Sequence, residues 1–157
     1  MSCTPGDKKQ KVLSYKLPSF SGQDFVSGKT YTDKTLFNGK YKLIYFHFWG
    51  TWCGPCEAEF PEFLEFSRKL QNKEIAFVAL AVNDKDQDIK KFMKRFKDIP
   101  QNFIVIHDQK RISDLLGTFK LPETFLINNE KQFLDKYIGP QNWNSEYFFK
   151  LALKKLN

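Results

Sequence analysis

Histidine is almost missing from this chain: only His47 and His107 occur, and neither stands at a metal-ligand spacing from another soft ligand. Cysteine occurs three times, so a disulfide-stapled scaffold is excluded, and a single pair supplies only half of a tetrahedral zinc shell. No stretch approaches the ~20 apolar residues of a membrane-spanning helix, and no signal-peptide core, internal repeat or low-complexity segment is present. Like charges never run to five in a row. The formal net charge of +7 is therefore spread over many elements instead of gathered on one face, which excludes a dedicated nucleic-acid module and favours a lysine-rich solvated surface.

What the chain does have is aromatic bulk. Phenylalanine occurs 17 times and hydrophobic residues make up 41% of the 157 positions, enough for one domain with a substantial core. Residues 1–11 read as a flexible polar leader and 12–157 as the domain. Val12–Phe20 reads as an edge strand broken at Pro18. Gly22 and Gly28 punctuate a hairpin whose second arm is Lys29–Thr32, and Asp33 is the expected cap of a short helical turn closed by Asn38-Gly39. Lys42–Trp49 is a near-continuous apolar run of the kind buried on both faces of a parallel sheet. Helices are expected over Gly54–Leu70, Asp86–Lys97, Lys110–Gly117 and Trp143–Leu156, and strands over Ile75–Val82, Phe103–Ile106, Phe125–Ile127 and Gln132–Ile138. That order makes an α/β sandwich around a mixed sheet.

The chemistry concentrates in Trp52-Cys53-Gly54-Pro55-Cys56, just after the first buried strand. Two cysteines one helical turn apart place their Cα atoms ~5–6 Å from each other, inside the window a disulfide needs. A strand that ends in such a pair and then opens a helix is the arrangement of a thiol–disulfide redox site. A structural disulfide and a half-site for zinc are the alternatives. Cys53, at the helix mouth, meets unpaired N–H groups and the positive end of the helix dipole, which favour a thiolate. Pro55 suits the first turn, where a missing N–H costs nothing. Cys56, a turn deeper, suits the resolving role. Trp49 and Trp52 flank the pair, either as packing or as partner contacts.

Phe48-Trp49-Gly50-Thr51-Trp52-Cys53-Gly54-Pro55-Cys56-Glu57-Ala58-Glu59-Phe60-Pro61 closely resembles the active-site block of the TlpA/ResA/CcmG (DsbE) group of extracytoplasmic thioredoxin-like proteins. Gly117-Thr118-Phe119-Lys120-Leu121-Pro122-Glu123-Thr124-Phe125-Leu126-Ile127 is similar to that group's second signature. The resemblance covers about residues 15–155. Glu59-Phe60-Pro61 and the form of the second signature favour this group over plain thioredoxin. It implies a thioredoxin-like sandwich, a central mixed β-sheet flanked by helices with an N-terminal β-hairpin extension. It also implies that Pro122 is cis and faces the cysteines, with the backbone of Leu121, together with Trp52, Gly54 and Pro55, receiving an extended partner peptide.

Candidate catalytic residues are then Cys53, Cys56, Pro122, Glu59 and His47. Glu59 falls where ResA-like proteins carry an acidic residue near the cysteines; half-buried, it would titrate high and relay protons, and the alternative is a solvated helix glutamate. Glu57 and Glu62 read as surface. His47, six positions before Cys53, departs from the buried aspartate of thioredoxin and the asparagine frequent in ResA/CcmG-like proteins. It reads either as a proton acceptor beneath the site, or as a charged ring that raises thiolate character, or as a neutral core histidine bonded to backbone, and strand alternation leaves its face open.

The resemblance implies a reductant of disulfides in extracytoplasmic proteins, apocytochrome c haem-site cysteines among them, recharged by a membrane thiol donor and working as a monomer. It implies no cofactor and no metal. Cys3 in a polar leader matches the lipid-bearing first residue of a mature bacterial lipoprotein; read as complete, the chain would be cytosolic. Alternatives are a general disulfide reductase or isomerase, a peroxiredoxin-like antioxidant, and a binding module without turnover. The peroxiredoxin pattern Pro-x-x-x-Thr-x-x-Cys is not met, since Thr51 stands two before Cys53 and the upstream proline is missing.

Overall fold

The computed structural model describes residues 11–109 and 111–157. Nearly all of the expected leader, Cys3 included, lies outside these described residues. The chain runs β1 (Ser21–Gln23), β2 (Thr30–Thr32), α1 (Asp33–Leu36), β3 (Leu43–Trp49), α2 (Gly54–Lys69), β4 (Ile75–Ala81), α3 (Asp86–Met93), β5 (Phe103–His107), α4 (Ile112–Leu115), β6 (Glu123–Asn128), β7 (Phe133–Ile138) and α5 (Glu146–Lys155). The main sheet has the order β5-β4-β3-β6-β7. The β3, β4 and β5 strands are parallel, and β6 and β7 run antiparallel to the strands before them. The β1–β2 hairpin is a separate two-stranded sheet. It docks on β5 by a Phe25 N–H to Val105 carbonyl bond and by the buried Asp24 carboxylate accepting from the Val105 N–H at 2.9 Å. This is the mixed-sheet α/β architecture with a hairpin extension that the motifs imply.

β3 lies at the centre and every residue in it is buried, so its two faces carry two cores. Tyr45, His47 and Trp49 face α2, where Phe60, Phe63 and Phe66 meet Phe77, Phe103 and Trp143. Ile44, Phe46 and Phe48 face Phe20, Phe125 and Phe133 on the other side. Phenylalanine thus fills both layers, mostly through tilted and edge-to-face pairs.

Several local expectations change. Val12–Phe20 forms no strand; only Leu13 bridges to Phe133, and Tyr15 lays its ring on Phe125 and Phe133. Side-chain packing, not ladder pairing, holds this segment. The cap of α1 is Thr32 and not Asp33: its hydroxyl accepts from the Thr35 N–H, and Thr35 bonds back to the Thr32 N–H. α3 ends at Met93 because the next turn tightens to Arg95 N–H to Phe92 and Phe96 N–H to Met93 bonds, although Phe96 still packs on the core. α4 is shortened to Ile112–Leu115, capped from outside by Asp108, which accepts from the Ile112 and Ser113 N–H groups. Trp143 precedes α5 instead of opening it; Ser145 caps that helix.

Candidate active site

α2 begins at the cysteine pair. Cys53 is its N-cap, in extended conformation, and its sulfur accepts from the Cys56 N–H at 3.4 Å. Pro55 sits in the first turn. Cys53 and Cys56 are joined as a disulfide with Cα atoms 5.2 Å apart. Cys53 keeps 7% of its surface exposed and Cys56 none, which makes Cys53 the sulfur a partner can reach. Cys56, Phe60, Phe63 and Leu64 form the buried stripe of α2, and Glu59 belongs to the same stripe. The helical period that buries the aromatic residues therefore carries the carboxyl inward with them.

The loop into the site is held from a distance. Asp84 accepts from the Thr51 N–H and the Thr51 hydroxyl, both at 2.7 Å. The Trp52 indole donates to the Val82 carbonyl at 2.9 Å, yet 59% of Trp52 is exposed. Gly50 permits this pose, because a Cβ there would lie 2.6 Å from the indole nitrogen. Asp84 stands 33 positions from Thr51, and nothing local in the sequence signals it.

The Leu121–Pro122 peptide is cis. Pairing of Glu123 with Phe48 sets Pro122 at the start of β6, beside the end of β3 from which the cysteine loop departs. The Pro122 carbonyl accepts from the Gly139 N–H, whereas the Leu121 N–H and carbonyl make no backbone bond among the described residues. Glu123 is buried, accepts from the Thr118 hydroxyl and lies 3.6 Å from the Lys136 ammonium. Glu57 is exposed and pairs with Arg95, while Glu62 is only partly exposed.

His47 and Glu59 meet under the cysteines. His47 is wholly buried, its ring stacked on Phe63 with centroids 4.1 Å apart, and Nδ1 lies 2.8 Å from the Thr124 hydroxyl, not on backbone. Its Nε2 lies 3.4 Å from Glu59 Oε1. The other carboxyl oxygen, Oε2, accepts from the Gln141 N–H at 2.8 Å. Burial lowers the histidine pKa to about 3, so the ring is neutral at physiological pH. Burial raises Glu59 to about 7; the Trp143 indole and the Gln141 amide oppose that rise, the indole without completing a hydrogen bond, and the like charge of Glu62 adds to it. Gln141, Trp143 and Thr124 were not visible as site residues in the sequence, since they reach the carboxyl or the ring from elements 77 and 82 positions away or from a loop. No group of three or more His, Cys, Asp or Glu able to hold a metal occurs among the described residues.

A cysteine pair opening the helix after the central parallel strand, with a cis-proline at the start of the adjoining antiparallel strand, defines a thioredoxin-fold thiol–disulfide oxidoreductase. The Redoxin family profile matches residues 13–150, and the chain belongs to that family. It is 33% identical over 138 residues to a thiol-disulfide oxidoreductase ResA of Bacillus cereus, covering 86% of this chain and 75% of the relative. The ResA of Bacillus subtilis is 36% identical over 101 residues, 64% of this chain and 55% of that protein. Among solved structures, the thiol:disulfide interchange protein DsbE from Chlorobium tepidum superposes with a TM-score of 0.74 at 26% identity, covering 90% of this chain and 96% of that one. StoA from Bacillus subtilis, at 21% identity and a TM-score of 0.66 over 89% and 96% of the two chains, shares the fold. The resemblance to the ResA/DsbE group is thereby established, as is the oxidoreductase class.

Proposed function

We propose that this oxidoreductase works as a reductant of disulfides in extracytoplasmic proteins, with residues 12–157 as one monomeric domain. The observation that carries this reading is the Cys53–Cys56 disulfide at the mouth of α2 with Gly54-Pro55 between its sulfurs. In the reduced chain the Cys53 thiolate, favoured by the Cys56 N–H and the helix dipole, attacks a target disulfide. One target sulfur leaves as a thiolate and a mixed disulfide forms. Cys56 loses its proton and attacks Cys53; the internal disulfide closes and the second target sulfur departs. Two electrons pass from the dithiol to the target, and a membrane thiol donor restores the dithiol.

In this reading an extended partner peptide pairs with the Leu121 backbone groups, which make no backbone bond among the described residues, and meets Pro122, the exposed Trp52, Gly54 and Pro55. A Gly-Pro dipeptide is the thioredoxin pattern, and thioredoxin has a potential of about −270 mV against about −120 mV for the strong oxidant DsbA. That gap corresponds to about 7 kcal/mol and separates donor from acceptor. Apocytochrome c haem-site cysteines are one target class, and Cys3 is a candidate lipid attachment that would hold the domain at a membrane surface. No helix among the described residues is long and apolar enough to cross a membrane.

Equilibration with glutathione tests the direction. A potential near the thioredoxin value is expected, and one near that of DsbA overturns it. Turnover of insulin disulfides by the same protein separates this reading from a binding module.

A further inference from the structure

The positive charge of this chain is spread over most of its elements, but along α3 it is locally dense. Lys90-Lys91-Phe92-Met93-Lys94-Arg95-Phe96-Lys97 puts five cations into eight positions, in the second half of α3 and the turn that follows. Ile89, Phe92 and Met93 turn inward, and all five charged side chains are exposed. Only Arg95 has a carboxylate to pair with, that of Glu57; Lys90, Lys91, Lys94 and Lys97 form no ion pair among the described residues. Asp86, in the first turn of the same helix, is taken by His107. The helix dipole favours cations in a last turn. Like charges three and four positions apart, such as Lys90 with Lys94 and Lys91 with Lys94 and Arg95, repel and oppose that gain. An anionic partner relieves the repulsion.

This face adjoins the redox site. Arg95 reaches Glu57, the residue after Cys56 in the first turn of α2. Its guanidinium lies 4.8 Å from the centre of the Phe92 ring, which packs on Trp49 and Phe60. The segment leading into α3 carries the Val82 carbonyl that receives the Trp52 indole and the Asp84 carboxylate that holds Thr51. In the sheet, β6 and β4 flank β3 on opposite sides. A chain laid across Cys53 from Pro122, at the start of β6, therefore runs toward α3, which follows β4. A protein seated on α3 has its own disulfide within reach of Cys53, whereas a membrane surface against the same face offers none.

We propose that the exposed face of α3 docks acidic side chains of the partner protein, so that this oxidoreductase selects disulfides flanked by Asp or Glu. The preference rests on the reductant reading above and names its substrate class. Exposed ion pairs add little affinity one by one. A surface of one sign beside a reactive site nevertheless raises the rate of encounter by about 10–10³-fold at low salt, and the gain fades as ionic strength rises.

Two synthetic peptides with the same intramolecular disulfide, one flanked by glutamates and the other by glutamines, read the preference directly. The reduced full chain is mixed with each, the reaction is quenched with acid, and the peptide dithiol is measured by chromatography. At about 50 mM ionic strength the acidic peptide should react about 10-fold faster, and the advantage should vanish near 1 M salt, where the screening length is about 3 Å. Lys91→Glu with Lys94→Glu should bring the ratio of the two rates to one or below, and Lys91→Gln with Lys94→Gln should give an intermediate ratio. Lys40→Glu with Lys73→Glu changes the net charge equally, but at the end of β3 about 20 Å from the cysteines, and should keep most of the ratio. Equal rates for the two peptides, or a preference that survives reversal of Lys91 and Lys94, overturns the docking face alone. Binding of the wild-type chain to phosphatidylglycerol vesicles without any preference between the peptides assigns the face to a membrane surface and equally overturns it. A wild-type chain that reduces neither peptide defeats the dithiol reading itself, and the substrate preference with it.

Discussion

Removing one member of the His47–Glu59 pair at a time should tilt the pH dependence of stability in opposite directions. Burial holds His47 at about 3 against 6.5 in the unfolded chain, and holds Glu59 at about 7 against 4.5. Between pH 4.5 and 6.5 the unfolded chain carries an imidazolium and a carboxylate, whereas the folded chain carries an imidazole and a carboxylic acid. Each state holds one proton on the pair, so the pair contributes no slope to wild-type stability in that window.

In Glu59→Gln only the histidine remains. The unfolded state then binds the extra proton, and stability is lost as pH falls below 6.5. In His47→Asn only the carboxyl remains. The folded state binds the extra proton, so stability is greatest below 4.5 and is lost as pH rises toward 7. Each slope is about 1.4 kcal/mol per pH unit, so across the window the two variants diverge from wild type by about 2–3 kcal/mol each, with opposite signs. Urea unfolding of the oxidised chain, followed by tryptophan fluorescence at several pH values, reads this directly, because background titrations cancel in the differences. Variants whose stability changes with pH in parallel with wild type would refute the buried, single-proton description of the pair.

Other consequences follow from the same contacts. Cys53→Ser should abolish insulin reduction, while Cys56→Ser should accumulate a mixed disulfide with its partner, detectable on a non-reducing gel; trapping by Cys53→Ser instead would reverse the two roles. Gly50→Ala should push Trp52 off the Val82 carbonyl, since the new Cβ would sit 2.6 Å from its nitrogen; a loss of about 1 kcal/mol and a changed near-ultraviolet circular dichroism signal are expected. Phe63→Ala, which empties the space between His47, Phe77, Phe103 and Trp143, should cost about 3–5 kcal/mol in denaturant unfolding.

The redox pair and the central strand were legible because each rests on local spacing or a local apolar run, whereas the cis-proline and the buried Glu59 were expected only through the resemblance to the ResA/CcmG signatures. Cys53 and Cys56 lie one turn apart, and Glu59 falls on the stripe with Phe60 and Phe63. The face of His47 was not legible for an equally physical reason. Every residue of β3 is buried, so no polar alternation distinguishes the α2 side from the other. Asp84, Gln141, Trp143 and Thr124 reach the site from distant segments, and only the folded chain brings them to Thr51, Glu59 and His47. The N-terminal stretch misled through composition. Val12–Phe20 is apolar enough for a strand, yet it packs rings such as Tyr15 against β6 and β7 and bonds to the sheet only at Leu13.

Mass-spectrometric mapping of the reduced chain after brief iodoacetamide treatment at neutral pH bears most directly on the division of labour between the two sulfurs. Carboxamidomethylation should fall on Cys53, the N-cap with residual exposure, while Cys56 reacts only after unfolding. Preferential labelling of Cys56 in the native protein would contradict the assignment of nucleophile and resolving thiol.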